Sequence, residues 1–123
     1  MIKIDYRDAR PIYEQIVDGV ETLALRGALP AGSQLPSVRQ LAMELSINPN
    51  TIQRAYAELE RRGVIYAAKG RGNFISDDTA ALCQRRLEEI GAQIHALADQ
   101  ARALGAKEEQ IREWVEQKGD GTA

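Results

Sequence analysis

Pro36-Ser37-Val38-Arg39-Gln40-Leu41-Ala42-Met43-Glu44-Leu45-Ser46-Ile47-Asn48-Pro49-Asn50-Thr51-Ile52-Gln53-Arg54-Ala55-Tyr56-Ala57-Glu58-Leu59-Glu60-Arg61-Arg62-Gly63 reads as two short helices joined by a tight turn. Ser37 with Gln40 three residues on forms a capping box, in which hydroxyl and amide reciprocally satisfy orphaned backbone donors. Val38, Leu41, Ala42 and Leu45 then recur at the helical period, so their side is buried and Arg39, Gln40 and Glu44 are left outward. Ser46-Ile47 makes the turn. Asn48-Pro49 starts the second helix, with Asn as cap and Pro at a first position whose missing N–H costs nothing.

In that second helix Ile52, Ala55, Tyr56 and Leu59 mark the buried stripe, and at about 100° per residue Asn50, Arg54, Ala57 and Arg61 fall opposite it. Thr51 and Gln53 lie on the flanks. Asn, Gln and Arg near a helix N-terminus can make paired hydrogen bonds to adenine or guanine edges, and small Ala57 permits close approach to a duplex. Gly63 ends the helix, and Val64–Ala67 and Asn73–Ser76 read as strands joined through Lys69-Gly70-Arg71-Gly72. The result is a wing with a basic, glycine-rich tip suited to phosphate or a minor groove.

Upstream, Ile2-Lys3-Ile4-Asp5 alternates like a short strand, and a helix from Pro11 to about Arg26 is expected to bury Ile12, Ile16, Val20 and Leu23. Gly27 stops it. A turn-rich connection through Leu35-Pro36 leads to the capping box, which completes a three-helix core. Downstream of Asp77-Asp78, Cys83, Leu87, Ile90, Ile94, Leu97, Ala101 and Leu104 alternate in steps of four and three, a heptad-type seam. Such a stripe must pack on the shorter helix expected over Lys107–Gln117, on another protomer, or on both. Gly105 separates these two helices, and Ile111, Trp114 and Val115 give the second an apolar side.

The expected fold class is therefore mainly α with a small β-wing. Residues 1–76 would form a winged helix-turn-helix, 77–118 a two-helix dimerisation segment, and 119–123 a disordered tail. The chain's formal charge of −2 would argue against a nucleic-acid partner until it is divided. Residues 1–76 carry 10 Lys/Arg against 8 Asp/Glu, and residues 77–123 carry 6 against 10, so the acidity belongs mainly to the part that need not touch DNA. Cys83 is the one cysteine, which excludes an intramolecular disulfide and a cysteine-rich zinc framework. Without a signal-peptide core or an apolar run of about 18 residues, no membrane association is expected and a cytoplasmic location is.

Several motifs in order give a resemblance to the GntR family of transcriptional regulators, and to its short YtrA-type branch. They are Pro11-Ile12-Tyr13-Glu14-Gln15-Ile16, Leu35-Pro36-Ser37-Val38-Arg39-Gln40-Leu41-Ala42, Asn48-Pro49-Asn50-Thr51-Ile52 through Ala55-Tyr56, and Gly70-Arg71-Gly72-Asn73-Phe74-Ile75. The resemblance covers roughly residues 1–76. It implies a bacterial DNA-binding regulator, a repressor of a nearby operon that often encodes a transporter. It further implies that Arg39 reaches a base or phosphate, that Asn48, Asn50, Thr51 and Gln53 work at the N-terminus of the recognition helix, and that Lys69 and Gly70 work from the wing. Ser37, Arg54 and Arg71 complete the candidate contacts. Many longer members place an Arg where Pro49 stands, so their operator sequence does not transfer.

The expected partners are an operator duplex bound as a pseudo-palindrome, a second copy joined through the seam with Trp114, and a small-molecule effector only if the short helical segment leaves a pocket. No cofactor is expected. The competing class is a winged-helix protein-interaction or architectural module, against which the polar and basic exposed face argues. The seam could also be plain core. His95 stands without a second ligand at metal spacing, Cys83 reads as a small buried residue, and Trp114 reads as packing. No nucleophile–base pair, metal cluster or phosphate loop can be assembled, so an enzyme is not expected.

Overall fold

The computed structural model describes residues 2–117, so the tail expected to be disordered lies outside the described residues. Its elements are α1 (Ile12–Leu25), α2 (Val38–Leu45), α3 (Pro49–Arg61), β1 (Ile65–Ala68), β2 (Gly72–Ile75), α4 (Thr79–Ala103) and α5 (Glu108–Glu116). By contacts the chain divides between Gln84 and Arg85. The first unit runs past residue 76 because Leu82, on the opening turn of α4, is buried; a Cβ built on Gly63 would meet its side chain at 3.7 Å.

The first unit is organised around α3, which packs on α1, α2 and β1. Its stripe of Ile52, Ala55, Tyr56 and Leu59 is buried with Ile16, Val17, Val20 and Ala24 of α1 and Leu41 and Ala42 of α2. Each large apolar side chain so enclosed contributes on the order of 1.5–3 kcal/mol. The capping box forms as expected: the Gln40 N–H donates to Ser37 Oγ at 3.1 Å, and the Ser37 N–H donates to Gln40 Oε1 at 2.9 Å. Ser46 closes α2 in the left-handed region at φ 55°, a place usually given to Gly or Asn, and this reverses the chain into α3.

Three expectations are corrected. Ile2–Asp5 forms no strand, because no sheet edge is there to pair with; it lies extended beside α1, its isoleucines packed on the core. Gln15, buried in α1, ties this segment down. Its Oε1 accepts the Asp5 N–H at 2.8 Å, and its Nε2 donates to the Asp5 and Arg10 carbonyls at 3.0 and 3.1 Å. The buried face of α1 consequently runs through Ile16, Val17, Val20 and Ala24, while Ile12 and Leu23 are only half-buried. Third, the connection before α2 is not merely a loop. Gln34 bridges to Phe74, the Leu35 N–H donates to the Asn73 carbonyl at 2.8 Å, and the Ile75 N–H donates to the Ser33 carbonyl at 2.8 Å, giving β2 a partner on its second side.

β1 and β2 pair antiparallel with Ile65 opposite Ile75 and Tyr66 opposite Phe74, whose rings stack at 5.6 Å. In the second unit, Gly105 at φ 96° turns the chain from α4 into α5, and Arg102 binds Glu108 at 2.6 Å across that turn and Asp99 at 2.9 Å within α4. Ile111 is buried. The seam is not covered by α5: Leu87, Ile94 and Leu97 remain 59%, 47% and 63% exposed, and Trp114 54%. Ile90 and Ala101 of the same stripe are half-buried. Cys83, expected to be buried, is half-buried, and Leu82 beside it takes the enclosed position.

An ion-pair network joins α1 to the end of α3. Arg62 binds Glu58 at 2.8 Å, Glu21 at 3.3 Å and Asp18 at 3.8 Å, and Arg61 also binds Glu58, at 2.7 Å. Hydrogen bonds from Arg61 and then Arg62 draw the Glu58 carboxyl down to about 2 from its ordinary 4.5. A carboxyl lowered on folding stabilises above its unfolded value and loses that stabilisation as pH falls through its folded one. Urea melts should therefore show Glu58→Gln less stable than the natural chain at neutral pH by no more than about 1 kcal/mol, since the pair is solvated, with the difference vanishing between pH 4.5 and 2.

Candidate nucleic-acid interface

The polar face expected on α3 is present and its start is fixed by chemistry. Asn48 Oδ1 accepts the Asn50 N–H at 2.8 Å, and Pro49 occupies the first helical position. The Asn48 carboxamide oxygen is thus committed to the cap, which leaves its amide nitrogen as the donor side. Asn50 and Gln53 are exposed, Thr51 is half-buried, and Ala57 is exposed between the polar residues as expected. Arg39 and Ser37 are exposed on the packed neighbour α2, although the Ser37 hydroxyl is engaged in its capping box. The N-termini of both helices carry a partial positive charge, which favours anions there.

Arg54 departs from the simple picture of an outward-pointing reader. Its guanidinium lies over the Tyr13 ring of α1, 3.8 Å from the centroid. Tyr56 fixes α3 against the strand-like segment before α2: its hydroxyl donates to the Pro36 carbonyl at 2.7 Å. Burial, with a smaller push from Glu44, raises that hydroxyl to about 12, so it remains a donor at any physiological pH.

At the wing tip Lys69, Gly70 and Arg71 are all exposed. The Arg71 N–H closes the turn on the Ala68 carbonyl at 2.9 Å, with Gly70 at φ 76°, the third position of a type II turn. Gln34, to which no sequence pattern points, braces this tip by donating from Nε2 to the Arg71 carbonyl at 2.7 Å. Tyr13 and Gln34 escape a sequence reading for the same reason: both act through partners distant in sequence, and neither stands in a periodic pattern. The candidate residues come together in one unit on the α2–α3 pair and the wing; the seam residues from Leu87 onward and Trp114 belong to the second unit.

A capped helix-turn-helix with a polar, partly basic reading face and a basic two-stranded wing defines a winged-helix DNA-binding regulator. Residues 12–75 match the family of bacterial regulatory proteins named gntR, and the chain belongs to that family. It is 41% identical over 118 residues to the HTH-type transcriptional repressor YtrA of Bacillus subtilis (strain 168), covering 95% of this chain and 91% of that one. The solved structure of a GntR family transcriptional regulator from Listeria monocytogenes is similar at a TM-score of 0.71 and 38% identity, over 91% of this chain and 98% of that one. The DNA-binding domain of AraR, solved with its operator ORX1, shares the fold at a TM-score of 0.55 and 19% identity, over 61% of this chain and 96% of that one. The protein is a DNA-binding transcription regulator.

Gly72 has φ 115°, and a Cβ there would stand 2.7 Å from Gln34 Nε2. Gly72→Ala should therefore cost about 1–2 kcal/mol of stability from the backbone alone and release the Gln34 brace. Thermal melts would read the loss, and amide exchange at Arg71 would rise. Unchanged protection of the wing would contradict the bracing role of Gln34.

Proposed function

We propose that this chain is a homodimeric repressor, acting in the cytoplasm, that binds a pseudo-palindromic operator near its own operon. The observation that carries the reading is the uncovered seam on α4, where Leu87, Ile94 and Leu97 are exposed in the single chain. Apolar residues at heptad spacing gain only when a second surface covers them, and a symmetric pair offers the seam itself. A dimer also suits the reading head, since one recognition helix spans only a few base pairs. The name of the relative YtrA, a repressor, supports the sign of regulation. The operator complex of AraR supports a duplex as the partner.

In this reading Asn50 and Gln53 reach base edges. Ser37, Arg39, Asn48 and Thr51 set the register on the backbone, and Lys69, Gly70 and Arg71 of the wing engage phosphate or an adjacent minor groove. Half-site centres should lie about one helical turn, on the order of 10 bp, or a multiple apart. A protein-interaction module would lack salt-dependent, sequence-biased retention on DNA.

Enrichment of duplexes from a randomised library tests the reading directly, and a two-fold related motif is expected. On the enriched duplex, Gln53→Ala and Asn50→Ala should each lose roughly 1–3 kcal/mol of discrimination at particular base pairs. Lys69→Ala should weaken all sequences alike and flatten the salt slope by about one unit. If Gln53→Ala weakened every sequence equally, the assigned reading face would be wrong.

The dimer has its own test. Ile94 is about half exposed in the single chain and belongs to the second unit, so Ile94→Asp leaves the core of the first unit intact while placing a charge at the seam of both copies. Light scattering should report a monomer, circular dichroism an unchanged fold, and gel shift a loss of palindrome binding. A variant that stays dimeric would move the contact elsewhere, to the exposed Trp114 and Val115.

A further inference from the structure

The arginines of α3 and its C-cap are held in two different ways. Arg61 and Arg62 are each paired with carboxylates, Glu58 for both and Glu21 and Asp18 for the second, so their charge is spent within the protein. Arg54, exposed on the first half of the same helix, has no carboxylate partner among the described residues. Its guanidinium rests instead on the face of Tyr13, 3.8 Å from the ring centroid. An aromatic face attracts the cation through its quadrupole without adding a negative charge, and it restrains a side chain that would otherwise sample many rotamers. A guanidinium stacked in this way keeps its N–H groups directed outward around its edge, the arrangement that grips a phosphate.

We infer that Tyr13, which lies on α1 and outside the helix-turn-helix, is a positioning residue for DNA binding: its ring holds an uncompensated Arg54 ready for a backbone phosphate beside the recognition helix. The inference rests on the proposed use of α3 as the reading helix and adds a residue to it. Tyr13 needs only its ring for this role. Its hydroxyl donates to Glu14 Oε1 at 3.3 Å, a contact the role does not require.

The test uses the full chain and the duplex it enriches from a randomised library, titrated at several salt concentrations. Arg54→Gln should bind about tenfold more weakly on all sequences, with a salt slope lower by about one, as for one lost phosphate contact. Tyr13→Leu should weaken binding by several-fold, and Tyr13→Phe should stay within about twofold of the natural chain. In the Arg54→Gln background Tyr13→Leu should add nothing, the double-mutant signature of one shared role. A purely structural Tyr13 would weaken binding equally in both backgrounds, and that result overturns the inference, as would a Tyr13→Phe variant as impaired as Tyr13→Leu or an unchanged slope in Arg54→Gln. If the natural chain enriches no duplex, the reading of α3 fails and the inference falls with it; if it enriches one while the Tyr13 cycle is additive, only the inference fails.

Discussion

The first unit depends on one buried stripe. Ile52, Ala55 and Leu59 of α3 are wholly enclosed, and Tyr56 nearly so, because this helix packs on α1, α2 and β1 at once. A helix with a single apolar stripe has only one rotation that buries it. The same rotation turns Asn50, Gln53 and Ala57 outward. The outward polar face of α3 is thus set by core packing, and the Asn48 cap with Pro49 sets where along the axis it begins. Truncating Ile52 would both open a cavity and loosen the outward face, so effects on stability and on binding are coupled at the stripe and separable only at the exposed positions.

Charge follows the same division of labour. An acidic chain can serve DNA because carboxylates near the α1–α3 junction are neutralised internally: Asp8 and Asp18 by Arg10, Glu58, Glu21 and Asp18 by Arg62, and Glu58 also by Arg61. Exposed Arg39, Arg54, Lys69 and Arg71 lie instead on α2, α3 and the wing. Net charge therefore describes the wrong quantity for this protein; what matters for a phosphate backbone is which cations lack an internal anion.

Local chemistry makes much of this fold legible in the sequence. The capping box at Ser37–Gln40, the Asn48-Pro49 start and the glycines that end helices all act within a turn of chain, and each is found where its residues stand. Features set by distant partners are not legible in this way. Ile2–Asp5 has the alternation of a strand but no neighbour to pair with, and Gln15 is buried because two backbone segments converge on it. Gln34 sits among turn residues and becomes a sheet partner only because β2 passes beside it. The exposure of Arg54 follows from helical periodicity, while the ring beneath it comes from α1, 41 residues away by number from Tyr13 to Arg54.

The second unit obeys a different constraint. Leu87, Ile94 and Leu97 are about half to two-thirds exposed, so covering them would recover roughly half of the burial energy of each side chain, about 1 kcal/mol or somewhat more apiece. Two-fold pairing doubles that gain, yet association costs about 4–15 kcal/mol in lost freedom. Three seam residues per copy thus come only to the lower part of that range. A lasting pair would also have to cover Leu104, at the end of the seam, and Trp114 and Val115 on α5, all exposed in the single chain. In the proposed dimer the short α5, with Ile111 buried and Trp114 and Val115 outward, would add apolar area to that of the α4 seam.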